Sequence, residues 1–276
     1  MSAVVAMTFV AEPARVVKQA IACPVKEHTV MLRSITITLL AVLIWMPTAA
    51  QEPPRTFQSA KKYLADLHES IGHLETIYCG CPYERTTGSG GNVDREACGL
   101  TARKNDARSD RVEWEHVVPA SWFGQTRACW ILKEEAYPEC DGRSGRDCCQ
   151  RVNAEFTLAH NDPNNLFPSS GEVNGDRSNY PYGEVLGEER IYGACDFEMG
   201  RAPVGKIAEP PSGPARGTLA RAMLYMSSTY GADIRLPLSI VWQWHINHPA
   251  TAWEIERARR IATDTGLRNR WILGYE

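Results

Sequence analysis

Apolar positions recur at helical spacing in several stretches of this chain. Over residues 56–74 they fall at Tyr63, Leu64, Leu67, Ile71 and Leu74, which predicts an amphipathic helix with Ser59 as its cap. Over 217–230, Leu219, Ala222, Met223, Met226 and Tyr230 share one face of a core helix. Residues 239–247 read as a further helix whose Ile240, Trp242, Trp244 and Ile246 belong to the core rather than to a base-stacking platform. A charged amphipathic helix over 251–262 is built on Trp253, Ile255, Ala258 and Ile261. Strand signals are sparse. Val117 and Val118 favour extended backbone and Pro119 ends any ladder, so 111–119 reads as a short edge strand. Leu166 and Phe167 predict a two-residue strand core. A helix over 171–179 follows it, capped by Ser169 or Ser170, although Gly175 and a lack of apolar surface make its composition poor. Residues 78–91 and 125–150 lack periodicity and read as surface loops, the second one long and cross-linked. Residues 209–214 form a stiff Pro-rich connector, and no internal repeat is present. The pattern describes a single α+β domain, mainly helical.

The beginning of the chain changes that picture. Met31, Leu32, Arg33 and Ser34 form a basic head before an apolar run of 12 residues from Ile35 to Met46; Pro47, Thr48, Ala49 and Ala50 follow. This is the layout of a secretory signal peptide over 31–50, cleaved to leave Gln51. The run falls short of the roughly 20 apolar residues that span a bilayer, so no membrane association is expected after cleavage. Because 30 residues precede Met31, residues 1–30 read as a start-site artefact or an unstructured extension, and 51–276 as the functional domain.

Cysteine usage agrees with export. Of nine cysteines, Cys23 falls with the leader, leaving Cys79, Cys81, Cys98, Cys129, Cys140, Cys148, Cys149 and Cys195. An even number in a secreted chain predicts disulfides, with the pairing left open. Zinc is the rival, but the Cys79/Cys81 and Cys148/Cys149 pairs are spaced too closely for structural zinc.

Charge alone argues against bulk electrostatic binding of nucleic acid. Four of 30 basic and two of 33 acidic residues precede Gln51, so residues 51–276 carry 26 against 31, a net of −5. Local clusters remain: Arg103, Lys104, Arg108 and Arg111; then Arg143, Arg146 and Arg151; then Arg257, Arg259 and Arg260, the last read as a solvated face.

Candidate chemistry begins at Glu115 and His116. Alone, the pair is most simply a histidine satisfied by a carboxylate. Asn165 and, nine positions on, Asn174 alter that reading, because strand, loop, strand and helix then hold an imidazole beside hard oxygen donors. Mg²⁺ prefers such oxygens and often takes only one or two protein groups. Glu115 and Asn174 suit it, and Asn165 is placed to fix the hairpin through loop backbone. His116 would deprotonate a water for phosphodiester hydrolysis. Arg146, or failing it Arg143, would clamp the phosphate. A zinc hydrolase built on His116 and His160 lacks a helical His-x-x-x-His signature.

These residues resemble the endonuclease I family of periplasmic and secreted bacterial nucleases, of the ββα-metal (His-Me) finger class. The likeness rests on Trp114 through Ala120 (WEHVVPA), Phe123-Gly124, Cys129-Trp130, Asn165-Leu166, Pro168, Gly171–Arg177 (GEVNGDR) and Glu209-Pro210-Pro211. Arg216-Gly217, Ala220-Arg221 and Tyr225-Met226 complete it, so that it runs from about Tyr78 to about Ile261. It implies a helical domain around a small ββα-metal core and a Mg²⁺-dependent nuclease without sequence specificity. Mn²⁺ or Ca²⁺ would be able to replace Mg²⁺ in binding. Such an enzyme cuts DNA and often RNA, leaves 5′-phosphate ends, and is expected to act as a monomer. The resemblance makes His116 the general base and Glu115 and Asn174 the metal ligands, with Asn165 and Arg177 in support. A catalytically inactive, disulfide-rich nucleic-acid-binding protein of the same fold is the alternative, against which stands the completeness of the set. Three departures mark this chain. The loop after Trp130 carries both Arg143 and Arg146, and His160 stands where many relatives have a carboxylate. Residues 263–276 fit the family pattern poorly. The last two departures are expected to lie outside the catalytic set.

Overall fold

A computed structural model describes residues 52–187, 189–203 and 205–274 of the chain. The expected signal peptide and the reading of residues 1–30 lie outside these residues. The first helix, α1 (Phe57–Ser70), starts one turn before the expected cap. Thr56 is the N-cap, its Oγ1 accepting from the Ser59 amide at 3.1 Å while the Ser59 hydroxyl accepts from the Thr56 amide. Ser59 is therefore the returning half of a capping box, three residues inside the helix. Ala60, Leu64 and Leu67 bury its inner face.

The segment read as loop 78–91 holds an antiparallel hairpin instead, β1 (Tyr83–Arg85) and β2 (Gly91–Val93), with Tyr83 opposite Val93. Three-residue strands are too short for alternation to show, and what fixes them is packing. A Cβ at Gly91 would lie 2.8 Å from the Tyr83 ring and 2.9 Å from Val112. Short helices α2 (Arg95–Cys98) and α3 (Asp106–Ser109) lead to β3 (Val112–His116). Then come α4 (Ala120–Gly124) and α5 (Ala128–Ile131), two 3₁₀ turns, α6 (Gly145–Val152) and α7 (Ala154–His160). Residues 125–150 are thus a run of short helices rather than an open loop. Their order is held by Cys129–Cys149 and Cys140–Cys148.

β4 (Leu166–Ser170), five residues rather than two, pairs antiparallel with β3, setting His116 opposite Leu166 and Glu115 opposite Phe167. Pro168 is tolerated because this sheet has only two strands, and its carbonyl accepts from Ile77 N–H at 2.8 Å. Helix α8 (Gly171–Arg177) follows with no loop between. Ser170 occupies its N-cap without capping, since its hydroxyl donates to the Ser109 carbonyl at 2.8 Å. The helix's glycines have a packing reason: a Cβ at Gly171 would sit 2.6 Å from the Arg108 carbonyl oxygen, and one at Gly175 would overlap the Arg108 guanidinium.

After the hairpin β5 (Glu198–Ala202) and β6 (Gly205–Glu209), α9 (Pro214–Tyr230) runs through the core, buried from Gly217 to Met226. Helices α10 (Leu238–Asn247), α11 (Ala252–Thr265) and α12 (Arg270–Leu273) complete the fold. Trp244 is buried as expected, but Trp242 and Ile246 stand at the surface. Arg257 corrects the solvated-face reading. It is buried and donates to His68 Nε2 at 3.0 Å and to the Pro163 and Leu166 carbonyls at 2.7 Å, joining α11 to α1 and the start of β4. Arg259 and Arg260 are exposed. All eight cysteines among the described residues are paired, the other bridges being Cys79–Cys195 and Cys81–Cys98, so none of these is left for zinc. Among the described residues no helix is long and apolar enough to cross a membrane. The result is an α+β domain of small antiparallel sheets packed among helices.

Candidate active site

A cleft of about 640 Å³ opens where the end of β3 meets α8, and Glu113, Glu115, His116, Arg146 and Asn174 all line it. Phe57 and Lys61 of α1 and the Ser89–Gly90 tip of the first hairpin form its rim. That tip is held by the Trp114 indole N–H, which donates to the Ser89 carbonyl at 2.9 Å.

His116 ends its strand, and the backbone beyond it is pinned by Asn165. The Asn165 side chain accepts from Val118 N–H at 2.8 Å and donates to the Val118 carbonyl at 2.9 Å, while its own carbonyl accepts from Val117 N–H. The His116 ring stacks on Phe57, with centroids 5.1 Å apart and planes 24° apart. Its Nε2 lies 2.8 Å from the His160 carbonyl, which can only accept, so the proton sits on Nε2 and Nδ1 keeps its lone pair. Burial, then the neighbouring His160 and Arg146, hold this imidazole well below the usual histidine range and leave it neutral at pH 7.

Glu115 is buried and uses one oxygen, Oε1, for both its protein partners: the Tyr78 hydroxyl and Arg177 Nη1 at 2.8 Å. Arg177, fully buried at the end of α8, also donates to the His116 and Val117 carbonyls at 2.7 and 2.6 Å, and lies over the Tyr182 ring. Burial raises the Glu115 pKa, while Arg177 and Tyr78 act against that rise. Among the described residues the second oxygen, Oε2, has no hydrogen-bond partner, and Glu115 lines the cleft. Asn174 donates its amide nitrogen to Glu113 Oε2 at 2.9 Å, and among the described residues its side-chain carbonyl oxygen has no hydrogen-bond donor. Glu113 is itself held by Arg108 at 3.0 and 2.9 Å and by Arg111 at 2.6 Å, and these partners lower its pKa despite partial burial. Two hard oxygens, Glu115 Oε2 and Asn174 Oδ1, are therefore available in the cleft. This donor set suits a hydrated Mg²⁺ and not zinc.

His116 and His160 do come together, with ring centroids 4.8 Å apart, yet they do not make a zinc site. Each has committed a nitrogen to a protein partner, and among the described residues no three His, Cys, Asp or Glu side chains converge on a metal position. Of the two candidate arginines, Arg146 lines the cleft, with Nη2 3.4 Å from His116 Nδ1. Arg143 is exposed outside it and donates Nε to the Glu139 carbonyl at 3.1 Å. His160 is not among the cleft-lining residues but reaches the candidate site through Arg146, whose Nε donates to its Nε2 at 2.9 Å.

Sequence reasoning missed Glu113, Tyr78, Phe57 and the contribution of His160. Glu113 had a signal, since it lies two residues before Glu115 and so on the same face of β3. Tyr78 and Phe57 had none; tertiary packing alone brings them to the site.

The chain matches the Endonuclease I family model over residues 56–274, which takes in all but the last two residues of the segment 263–276 expected to fit the pattern poorly. It is 39% identical over 238 residues to the periplasmic deoxyribonuclease of Aeromonas hydrophila, covering 84% of this chain and 91% of that protein. An extracellular deoxyribonuclease of the same organism is 38% identical, covering 88% and 98%. Endonuclease-1 of Buchnera aphidicola subsp. Acyrthosiphon pisum is 34% identical, covering 78% and 80%. With a family match over the described fold and relatives of this similarity along most of their length, the chain belongs to the Endonuclease I family.

Proposed function

We propose that this nuclease hydrolyses phosphodiester bonds of DNA, and of RNA, without sequence specificity, as an exported monomeric enzyme dependent on Mg²⁺. The observation that carries the reading is the His116 ring. Its proton is committed to the His160 carbonyl, and its Nδ1 keeps its lone pair at the cleft, where among the described residues only a long contact of 3.4 Å from Arg146 Nη2 reaches it. We read β3, β4 and α8 as the ββα-metal finger. Glu115 and Asn174 would hold the ion through the two oxygens their protein partners leave unbonded. Bound there, Mg²⁺ supplies positive charge for the phosphate and the leaving 3′ oxygen.

The chain's own residues account for the rest. A water in the cleft donates its proton to His116 Nδ1 as its oxygen attacks phosphorus; the bond to the 3′ oxygen breaks, that oxygen takes a proton from solvent and departs as the 3′-hydroxyl, and a 5′-phosphate is left. The imidazole is neutral at working pH and needs no prior deprotonation. Arg146 binds the nonbridging oxygens and opposes the charge that builds on them. Arg177 holds Glu115 and the carbonyls of His116 and Val117, so the base and the metal-binding carboxylate are located by one side chain. Four disulfides fit an oxidising compartment, and the periplasmic and extracellular relatives support export.

The test is digestion of plasmid DNA and of RNA by the purified protein with Mg²⁺ and with excess EDTA. Cleavage should require the ion, and His116→Ala should lower kcat by about a hundredfold or more while the fold persists. A folded His116→Ala protein that cuts at the wild-type rate would sink the mechanism.

A further inference from the structure

Arg108 and Arg146 line the cleft and Arg177 lies buried behind Glu115; two of these three are neutralised. Arg108 is paired with Glu113 at 2.9 Å and Arg177 with Glu115 at 2.8 Å. Arg146 is different: among the described residues it makes no ion pair, and its side-chain hydrogen bonds go to two imidazole nitrogens, His160 Nε2 at 2.9 Å and His116 Nδ1 at 3.4 Å. The short bond is made by Nε. A guanidinium is a planar fork, so fixing Nε orients the edge that carries Nη1 and Nη2.

His160 is set up for this one bond. It is buried, and its Nδ1 lies 2.9 Å from Asn161 Oδ1, so Nδ1 carries the proton and Nε2 is the acceptor that faces Arg146. Burial holds its pKa at about 4, which keeps the ring neutral at working pH. The carbonyl of the same residue takes the His116 proton. A carboxylate in the same place would also accept from Nε, but it would cancel the guanidinium charge.

Resting on the nuclease reading above, we propose that His160 is a positioning residue for the phosphate clamp: it fixes Arg146 through a neutral acceptor, so the arginine is oriented and its positive charge stays available for the scissile phosphate. Orientation and charge are separable, and three substitutions separate them. His160→Gln offers a neutral acceptor and should stay within about threefold of wild type in kcat. His160→Ala leaves the charge uncancelled but the fork unheld. Its kcat should fall roughly ten- to a hundredfold, the scale of a misplaced catalytic group, with KM little changed. His160→Glu keeps the hold and cancels the charge. It should weaken duplex binding and lower the slope of log affinity against log salt by about 0.9, the contribution of one phosphate contact.

Binding is measured in EDTA, where no cutting occurs, by fluorescence anisotropy on a labelled DNA duplex from low to moderate salt; kcat and KM are measured separately with Mg²⁺. Melting curves identify any variant that fails to fold, and if His160→Ala is one, the Gln and Glu variants decide the matter. A folded His160→Glu protein with the wild-type salt slope overturns the proposal, as does a His160→Gln protein impaired as deeply as His160→Ala. Wild-type protein that neither binds nor cuts DNA overturns the nuclease reading and this inference with it. Wild-type binding and cutting with unaltered His160 variants overturns the inference alone.

Discussion

Replacing Arg177 with methionine tests the anchor on which the site is built. The guanidinium is fully buried and makes three hydrogen bonds, of 2.8, 2.7 and 2.6 Å, to Glu115 and to the carbonyls of His116 and Val117. Methionine fills much of the volume but donates nothing. Removing one partner of a buried ion pair typically costs about 3–5 kcal/mol, because the remaining charge is stranded. Each carbonyl left without a donor adds on the order of 1 kcal/mol, less where water can enter. A loss of about 5–7 kcal/mol is expected, less if water reaches the carbonyls, and a large fraction of the roughly 5–15 kcal/mol that holds a domain folded. Urea denaturation followed by tryptophan fluorescence should show the midpoint falling with the slope unchanged. The pH dependence carries a sign. With Arg177 gone, only the Tyr78 hydrogen bond still acts against the burial that raises the Glu115 pKa, and a carboxyl whose folded pKa is raised costs stability above its unfolded value. The variant's deficit should therefore shrink as pH falls through the carboxylate range. Glu115→Gln in the same background should recover part of the loss, giving a coupling of at least about 2 kcal/mol in the double-mutant cycle. A deficit below about 1.5 kcal/mol, or a cycle additive within about 0.5 kcal/mol, would refute the argument.

Two further outcomes follow from the cross-links and from the buried histidines. Cys79–Cys195 closes 116 residues and Cys140–Cys148 only 8, so in the chain-entropy description the double serine variants should lose about 4–5 and about 2–3 kcal/mol respectively. Chemical denaturation of the two variants checks this, and the reverse order would contradict it. Burial lowers the pKa of His68 and His116 well below 6.5 and that of His160 to about 4, so the unfolded chain takes up these protons first. Their contribution is complete above pH 6.5 and declines as pH falls below it, for His160 down to about pH 4. His160 alone accounts for ~3 kcal/mol of that loss. His160→Gln should flatten the fall in melting temperature across that window, and parallel curves for the two proteins would show the histidine to be irrelevant there.

Much of the site could be read from local sequence because its chemistry is carried by residue identity at short separation. Glu115 and His116 are adjacent, Asn165 opens the partner strand, and Asn174 and Arg177 lie on the helix that follows it. The long helices were legible for a similar reason, since a one-sided apolar stripe repeats every few residues. Tertiary structure decided which of these groups partner one another. Nothing near Glu115 in sequence foretells that Tyr78 and Arg177 will share one of its oxygens and leave the other to the cleft. No local pattern shows that Glu113 orients Asn174, nor which cysteines join. Arg257 stands in a charged helix yet is buried, because carbonyls from two distant segments meet it there. The same holds for Arg146 and Arg143, three residues apart in the chain and similar in composition of surroundings. Only the packing of α6 against His160 turns the first into the cleft, while the second stays in solvent. Periodicity and residue type are local properties, whereas burial and hydrogen-bond partners are settled by whichever distant atoms the fold brings within reach.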